Sequence, residues 1–208
     1  MTTSTIRVLC IDDHALVREG IAALINRQPD MQVIAEASSG LGGLEQFRIH
    51  HPDVSLVDLR LPDIGGIEVI ARMLGEAPEA RILVISSFEG DVDIHRALAA
   101  GAMGYVLKGM SREALLEAIR KVHRGGKAIP PEVAAAVAGH LTDEPLTRRE
   151  LQVLTVVATG ARNKEIAATL GISEDTVKMH IKSVIAKLGA EDRTGAVTTA
   201  IKRGIIHL

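Results

Sequence analysis

Short apolar runs alternate with longer segments of helical period along the first 124 residues. "IRVLCI", "MQVIAEA", "DVSLVDL", "ARILVIS" and "GYVLK" are each brief, rich in Val, Ile and Leu, and bounded by acids, Pro or Gly, which predicts five strands. Between them, "HALVREGIAALINRQ" puts Val17, Ile21, Leu24 and Ile25 on one helical face. "SREALLEAIRKVHRG" does the same with Leu115, Leu116, Ile119 and Val122 before the stop signal Gly125-Gly126. Strand and helix in strict alternation imply a parallel sheet wrapped on both sides, a doubly wound α/β domain. The pattern then breaks. "GGKAIPPEVAAAVAGHLTDEP", residues 125–145, opens on Gly and Pro, runs through an alanine-rich stretch with helical potential and closes on a "TDEP" turn, as a linker does. Beyond Leu146 no strand signal remains, only four short helical periods separated by turns.

A chain of 208 residues with 47% hydrophobic content can bury two cores of this size. The expected division is residues 1–124, a linker over 125–145, and an all-helical domain over 146–208. No apolar run nears the roughly 20 residues of a membrane span, and "MTTSTIRVL" lacks the form of a signal peptide, so the expected location is cytoplasmic. Cys10, the single cysteine, sits inside the first apolar run and is expected to be a buried free thiol. Net charge is −2 but unevenly placed: residues 142–208 carry ten Lys/Arg against eight Asp/Glu, leaving fourteen against eighteen in the rest. The C-terminal part is therefore the half suited to a polyanion.

In open parallel sheets ligands gather at the carboxyl ends of the strands. Asp12 and Asp13 end the first strand, Asp58 the third, Ser86 the fourth and Lys108 the fifth, so residues from four separate stretches are expected on one edge. Three carboxylates brought together repel each other and lose solvation unless a cation compensates them. A hard, oxygen-ligated ion such as Mg²⁺ suits the set, and Lys108 adds a fixed positive charge. Such a site stabilises a phosphoryl group, with Asp58 as nucleophile. Ser87 competes with Ser86 for the hydroxyl role, and strand alternation favours Ser86. Elsewhere, His50-His51 before Pro52 is expected to interact with a helix dipole rather than bind metal. "SSGLGG", residues 38–43, lacks the order of a nucleotide-binding loop.

In the C-terminal part, Thr147 and Glu150 form a capping box before Leu151, Leu154, Val157 and Ala158, and Gly160 ends that helix. Asn163 is expected to cap "KEIAATL", which stops at Gly171, and Ser173 to cap "EDTVKMHIKSVIAKL". In the last of these, Val177, Ile181, Val184, Ile185 and Leu188 face inward, leaving Lys178, Met179, Lys182 and Ser183 to point away. Two helices joined by a three-residue turn, the second bearing exposed bases, form the helix-turn-helix arrangement that enters the DNA major groove.

The set Asp12-Asp13, Asp58, Ser86 and Lys108, with "LP" after the third strand and "GAMGYVLK" around the lysine, resembles the receiver domain of two-component response regulators. "LTRRE", "NKEIA", "LGIS…TVKMHI" and "KLGA" resemble the LuxR-type DNA-binding domain, and the two together resemble the NarL/FixJ group. The resemblance implies a flavodoxin-like five-stranded receiver in which Asp58 accepts phosphate from a sensor histidine kinase. Mg²⁺ would lie among Asp12, Asp13, Asp58 and the backbone carbonyl of Arg60. Ser86 would bond the phosphoryl oxygen, Lys108 would pair with it, and Tyr105 would be the aromatic switch. Leu61 stands where relatives usually carry Met. It further implies that Lys178, Met179 and Lys182 face bases of double-stranded DNA, with Thr176 holding phosphate. Met179 replaces the small β-branched residue usual there. Two copies would pair as a homodimer on two half-sites, with Val197, Ile201, Ile205 or their neighbours as a face. The rival class is a phosphatase working through an aspartyl-phosphate; it normally needs a second acid two residues after the nucleophile, where this chain has Arg60, so the reading is not an enzyme.

Overall fold

The computed structural model describes residues 5–87, 90–138 and 144–206. These residues group into two compact units, 5–87 with 94–134, and 90–93 with 135–138 and 144–206. In the first, β1 (Ile6–Ile11), β2 (Met31–Ala37), β3 (Val54–Val57), β4 (Ile82–Ser86) and β5 (Gly104–Leu107) pair in parallel in the order β2-β1-β3-β4-β5. Its helices are α1 (Ala15–Asn26), α2 (Gly40–His50), α3 (Gly66–Glu76), α4 (Asp91–Ala99), whose residues 91–93 are grouped with the second unit, and α5 (Arg112–His123). The five-stranded doubly wound sheet is the one the alternating pattern predicts.

The three central strands β1, β3 and β4 are buried along most or all of their length, which is why they read as continuous apolar runs rather than alternating ones. On α1, Ile21, Ala22 and Ile25 are buried and Val17 and Leu24 pack at their margin, while α5 buries Leu115, Leu116, Ile119 and Val122 against the same core. Cys10 is fully buried among them, and burial, reinforced by the charge of Asp12, pushes its thiol up to about 12.

The glycines of "SSGLGG" have a packing reason. Ser39 caps α2 by accepting the Gly42 N–H at 3.2 Å, and a Cβ at Gly43 would collide with the Ile11 side chain, so the helix can lie close on β1. Asp63, from the loop after β3, closes the same helix end by accepting the N–H groups of Gly40 at 2.7 Å and Leu41 at 2.9 Å. These amide bonds hold its carboxyl down to about 2. A depressed carboxylate stabilises the fold above its ordinary value of 3.8 and ceases to do so as pH falls through about 2. Replacing Asp63 by Ala is expected to speed amide exchange in the first turn of α2 while leaving α5 unchanged; equal exchange in both proteins would remove this role. At the other end of α2, Arg7 donates to the carbonyls of His50 and His51, so an arginine from β1 answers the exposed carbonyls there.

The first unit extends past residue 124. Ala128 is buried, forms a parallel bridge with Gly104 and accepts the Tyr105 N–H at 3.0 Å. The alanine-rich stretch is helical, α6 (Pro131–Ala138), whereas residues 139–143, which include part of the "TDEP" turn, lie outside the described residues.

The second unit carries α7 (Arg148–Ala158), α8 (Asn163–Leu170), α9 (Glu174–Lys187) and α10 (Arg193–Lys202). Val153, Val157, Ile166 and Val177 make one buried cluster, and Leu154, Val184, Ala196, Ala200 and Ile206 another. Gly160 and Gly171 take positive φ, 82° and 65°, to end α7 and α8. Asn163 is the first residue of α8 and not its cap: Arg162 stands at that position, and its N–H is satisfied by the Glu165 carboxylate at 2.6 Å. Among the described residues no helix is long and apolar enough to cross a membrane.

Candidate functional site

In the strand order 2-1-3-4-5 the chain reverses direction of growth between β1 and β3, and the crevice outside their carboxyl ends is where such folds bind ligands. Asp12 follows β1 and Asp58 follows β3, so the crevice is lined by acid from both sides. The Asp58 N–H donates to the Ile11 carbonyl at 2.9 Å, locking the two strand ends in register. Gly66, at the start of α3, lets that helix press on the site, because a Cβ there would strike the Asp58 carbonyl.

Asp12 and Asp58 are 0% and 2% exposed, a costly position for two carboxylates. Lys108 compensates both: its Nζ lies 2.8 Å from Asp12 Oδ2 and donates to Asp58 Oδ2 at 2.6 Å. Burial lifts the Asp58 carboxyl above its usual range, against the hydrogen bond and charge of Lys108 and the Arg60 N–H, which approaches Oδ1 at 3.3 Å. Burial alone would lower the Lys108 ammonium, but the hydrogen bond to Asp58 and the charges of Asp12 and Asp58 outweigh it and the net shift is upward. Lys108 therefore stays positive throughout the physiological range.

One ligand atom from each of Asp12, Asp13, His14 and Asp58 lies within 4.8 Å of the others, a donor set that could hold a metal ion. Asp13 is exposed and Asp12 buried, so the cluster opens on one side. Ser86 is fully buried at the end of β4, and its carbonyl accepts the Lys108 N–H at 2.8 Å, which sets the two residues side by side; Ser87 is exposed. Tyr105 is fully buried in β5. The structure thus brings Asp12, Asp13, Asp58 and Lys108 together and puts Ser86 beside the lysine. Sequence reasoning did not single out His14, nor Arg18, whose Nη1 donates to the Asp12 carbonyl at 2.7 Å. The spacing of four between them, across the first turn of α1, is the only signal that could have linked them.

In the second unit, Lys178, Met179 and Lys182 are exposed on α9, and Met179 is one of the few large apolar side chains left open to solvent. Lys178 donates to Asp175 at 2.9 Å, and this bond and charge raise its pKa. Thr176 is half-buried and shares a hydrogen bond with the Ser173 hydroxyl, which also accepts the Thr176 N–H and so caps α9. Ser183 does not point away, contrary to the periodicity. Its hydroxyl donates to the buried Glu150 carboxylate at 2.6 Å, and Lys187 donates to the same group at 3.0 Å. Val197, Ile201 and Ile205 are also partly spent, packing against the core of their own unit.

A parallel sheet with an acid pocket at its switch point, joined in one chain to a helix-turn-helix unit, defines a class of protein: a sensing domain coupled to a DNA-binding one. Residues 8–120 match the family described as "Response regulator receiver domain", and residues 144–200 match "Bacterial regulatory proteins, luxR family". The response regulator protein VraR of Staphylococcus aureus is 35% identical over 208 residues, 98% of this chain and 100% of the relative. Among solved structures, the response regulator ChrA of a heme-sensing two-component system is 35% identical with a TM-score of 0.60, covering 98% of this chain and 100% of that one. RcsB of Salmonella typhimurium is 25% identical with a TM-score of 0.65, covering 94% and 97%. The chain belongs to the response regulators, in the arrangement of the NarL/FixJ group: it is a phosphorylation-controlled, DNA-binding regulator of transcription.

Proposed function

We propose that a sensor histidine kinase transfers the phosphoryl group of its phosphohistidine to the Asp58 carboxylate, and that this controls binding of cytoplasmic double-stranded promoter DNA by a homodimer. The observation that carries the reading is the Asp58 carboxylate, 2% exposed and held by Lys108 at 2.6 Å, within a cluster able to hold a cation and open at Asp13. In the transfer the bond from phosphorus to the kinase imidazole breaks as the bond to an Asp58 oxygen forms; the electron pair returns to the ring nitrogen, and the ring, protonated on its other nitrogen, leaves as neutral imidazole. Asp12, Asp13 and Asp58, with the Arg60 carbonyl, would hold Mg²⁺, which would supply positive charge against the negative charge gathering on the phosphoryl oxygens. Lys108 offers a second positive charge, and Ser86 a hydroxyl, to the same oxygens. Tyr105, on the strand that leads to Lys108, is the residue proposed to respond to the Ser86 hydroxyl. The half-buried Thr176, with nearby amides, would hold DNA phosphate, and Lys178, Met179 and Lys182 would read the groove, Met179 by apolar contact. RcsB, to which the chain is similar, has been described in terms of its DNA interaction.

The test uses a duplex selected by the full chain from a random pool. Acetyl phosphate with Mg²⁺ should tighten its binding in gel-shift titrations. Lys178→Ala or Lys182→Ala should cost on the order of 1–3 kcal/mol for a lost base contact, or lower the salt slope by about one for a lost phosphate contact. Binding unaltered by either lysine substitution would reject α9 as the reading helix, and indifference to acetyl phosphate would reject the coupling.

A further inference from the structure

One side chain of the acidic pocket has no part in the phosphoryl chemistry above. His14 occupies the N-cap position of α1, yet its side chain makes no hydrogen bond to the amides of that helix. The imidazole turns to the acids instead, with Nδ1 2.6 Å from Asp13 Oδ1 and 3.4 Å from Asp12 Oδ1. It belongs to the four-residue donor set whose ligand atoms all lie within 4.8 Å of one another, close enough to share one cation. A second observation leaves room for a ligand: among the described residues the fully buried Asp12 Oδ2 has no donor in hydrogen-bonding geometry and faces the charge of Lys108 at 2.8 Å. At 62% exposure the imidazole is open to solvent and to an incoming ion.

We infer that His14 is a fourth protein ligand of this pocket and biases it toward a first-row transition-metal divalent cation over Mg²⁺. The inference rests on reading the pocket as a divalent-cation site. Three carboxylates alone give little ground for such a choice, because Mg²⁺ and the lighter transition ions both accept hard oxygen donors. An imidazole nitrogen does, because Mg²⁺ keeps oxygen ligands and water whereas Co²⁺, Ni²⁺ and Zn²⁺ gain from a nitrogen donor. The pocket's occupant is then set by which divalent ions are available, and the receiver is loaded preferentially by the transition ion when both are present. The competing role for His14, holding Asp13 in place through their 2.6 Å contact, would instead help every cation alike.

Co²⁺ affinity, followed by the ion's visible absorption, and Mg²⁺ affinity, followed by competition, should be measured on the full-length wild type and on His14→Asn. The variant is expected to bind Co²⁺ at least about tenfold more weakly, since disturbing even the groups around metal ligands typically costs that much, with Mg²⁺ affinity unchanged. Pulsed electron paramagnetic resonance of the Mn²⁺-loaded wild type should show coupling to a bound nitrogen that the variant lacks. Equal weakening of Co²⁺ and Mg²⁺, or Co²⁺ affinity untouched by the substitution, would overturn the ligand role. Failure of the wild type to bind either ion would overturn the cation-site reading itself, a result distinct from the other two.

Discussion

Incubated with acetyl phosphate and Mg²⁺, the wild-type chain is expected to gain one phosphoryl group and the Asp58→Asn variant none, as read by intact-mass spectrometry. The substitution keeps the planar shape and size of the side chain while removing the anionic oxygen that attacks phosphorus. Asp12 and Asp13 remain in the variant, so equal labelling of both proteins would move the nucleophile elsewhere in the cluster and defeat the assignment.

The same variant tests the electrostatics of the pocket. Burial raises the Asp58 carboxyl above its ordinary range despite Lys108, so the folded protein holds this proton more readily than the unfolded chain. The folded state therefore loses stability as pH rises through that range, and the ionised carboxylate is a net burden at neutral pH. Asparagine carries no such burden. In the absence of divalent cation, Asp58→Asn is expected to melt no lower than the wild type at neutral pH. A clear drop in Tm would mean that the Lys108 contact outweighs the cost of burial.

The parallel sheet was legible because its central strands are apolar along nearly their whole length and end in acids, Ser or Lys at one edge. Asp12, Asp13, Asp58, Ser86 and Lys108 could be named from that edge alone. What stayed hidden was every partner whose role depends on tertiary reach. Asp63 closes α2 across 23 positions of sequence through backbone amides, and nothing local in "LPDIGG" announces that. His14 only opens the helical segment "HALVREGIAALINRQ" in the sequence, and it is the fold that turns its ring onto Asp13. Ser183 fell on the outward side of α9 by periodicity, but α7 crosses that helix and brings Glu150 to meet it. At the start of the linker, Gly and Pro mark a break in helix and strand, but they do not forbid Ala128 from adding a bridge to β5. Patterns of period two and 3.6 report which face is buried and leave open who sits on it.

Glu150 offers the largest stability effect in the DNA-binding unit. Its carboxylate is 4% exposed and accepts from the Thr147 N–H at 2.7 Å, the Ser183 hydroxyl at 2.6 Å and Lys187 Nζ at 3.0 Å. One side chain thus caps α7 and ties it to α9, the helix that carries Lys178 and Lys182. Truncation to Ala removes the cap, strips the Ser183 hydroxyl of its acceptor and leaves Lys187 with Glu144 at 2.9 Å and the Pro145 carbonyl at 3.3 Å as partners, a loss on the order of 3 kcal/mol for a lost cap together with an unsatisfied buried group. Local opening of α7 and α9 should then raise their amide exchange by about a hundredfold, with β1 and β3 unaffected. The pH dependence fixes the cause. Burial would raise this carboxyl, but the bonds from Ser183, Thr147 and Lys187 hold it down at about 2, against an ordinary 4.5. A depressed carboxylate gives its full stabilisation above the ordinary value and loses it as pH falls through the folded one, so the window runs from 4.5 down to about 2. Across that window protection of α7 and α9 should fall more steeply in the wild type than in Glu150→Gln, which keeps the shape and cannot titrate. Parallel acid profiles for the two proteins would place the proton uptake on some other group and leave Glu150 as a cap alone.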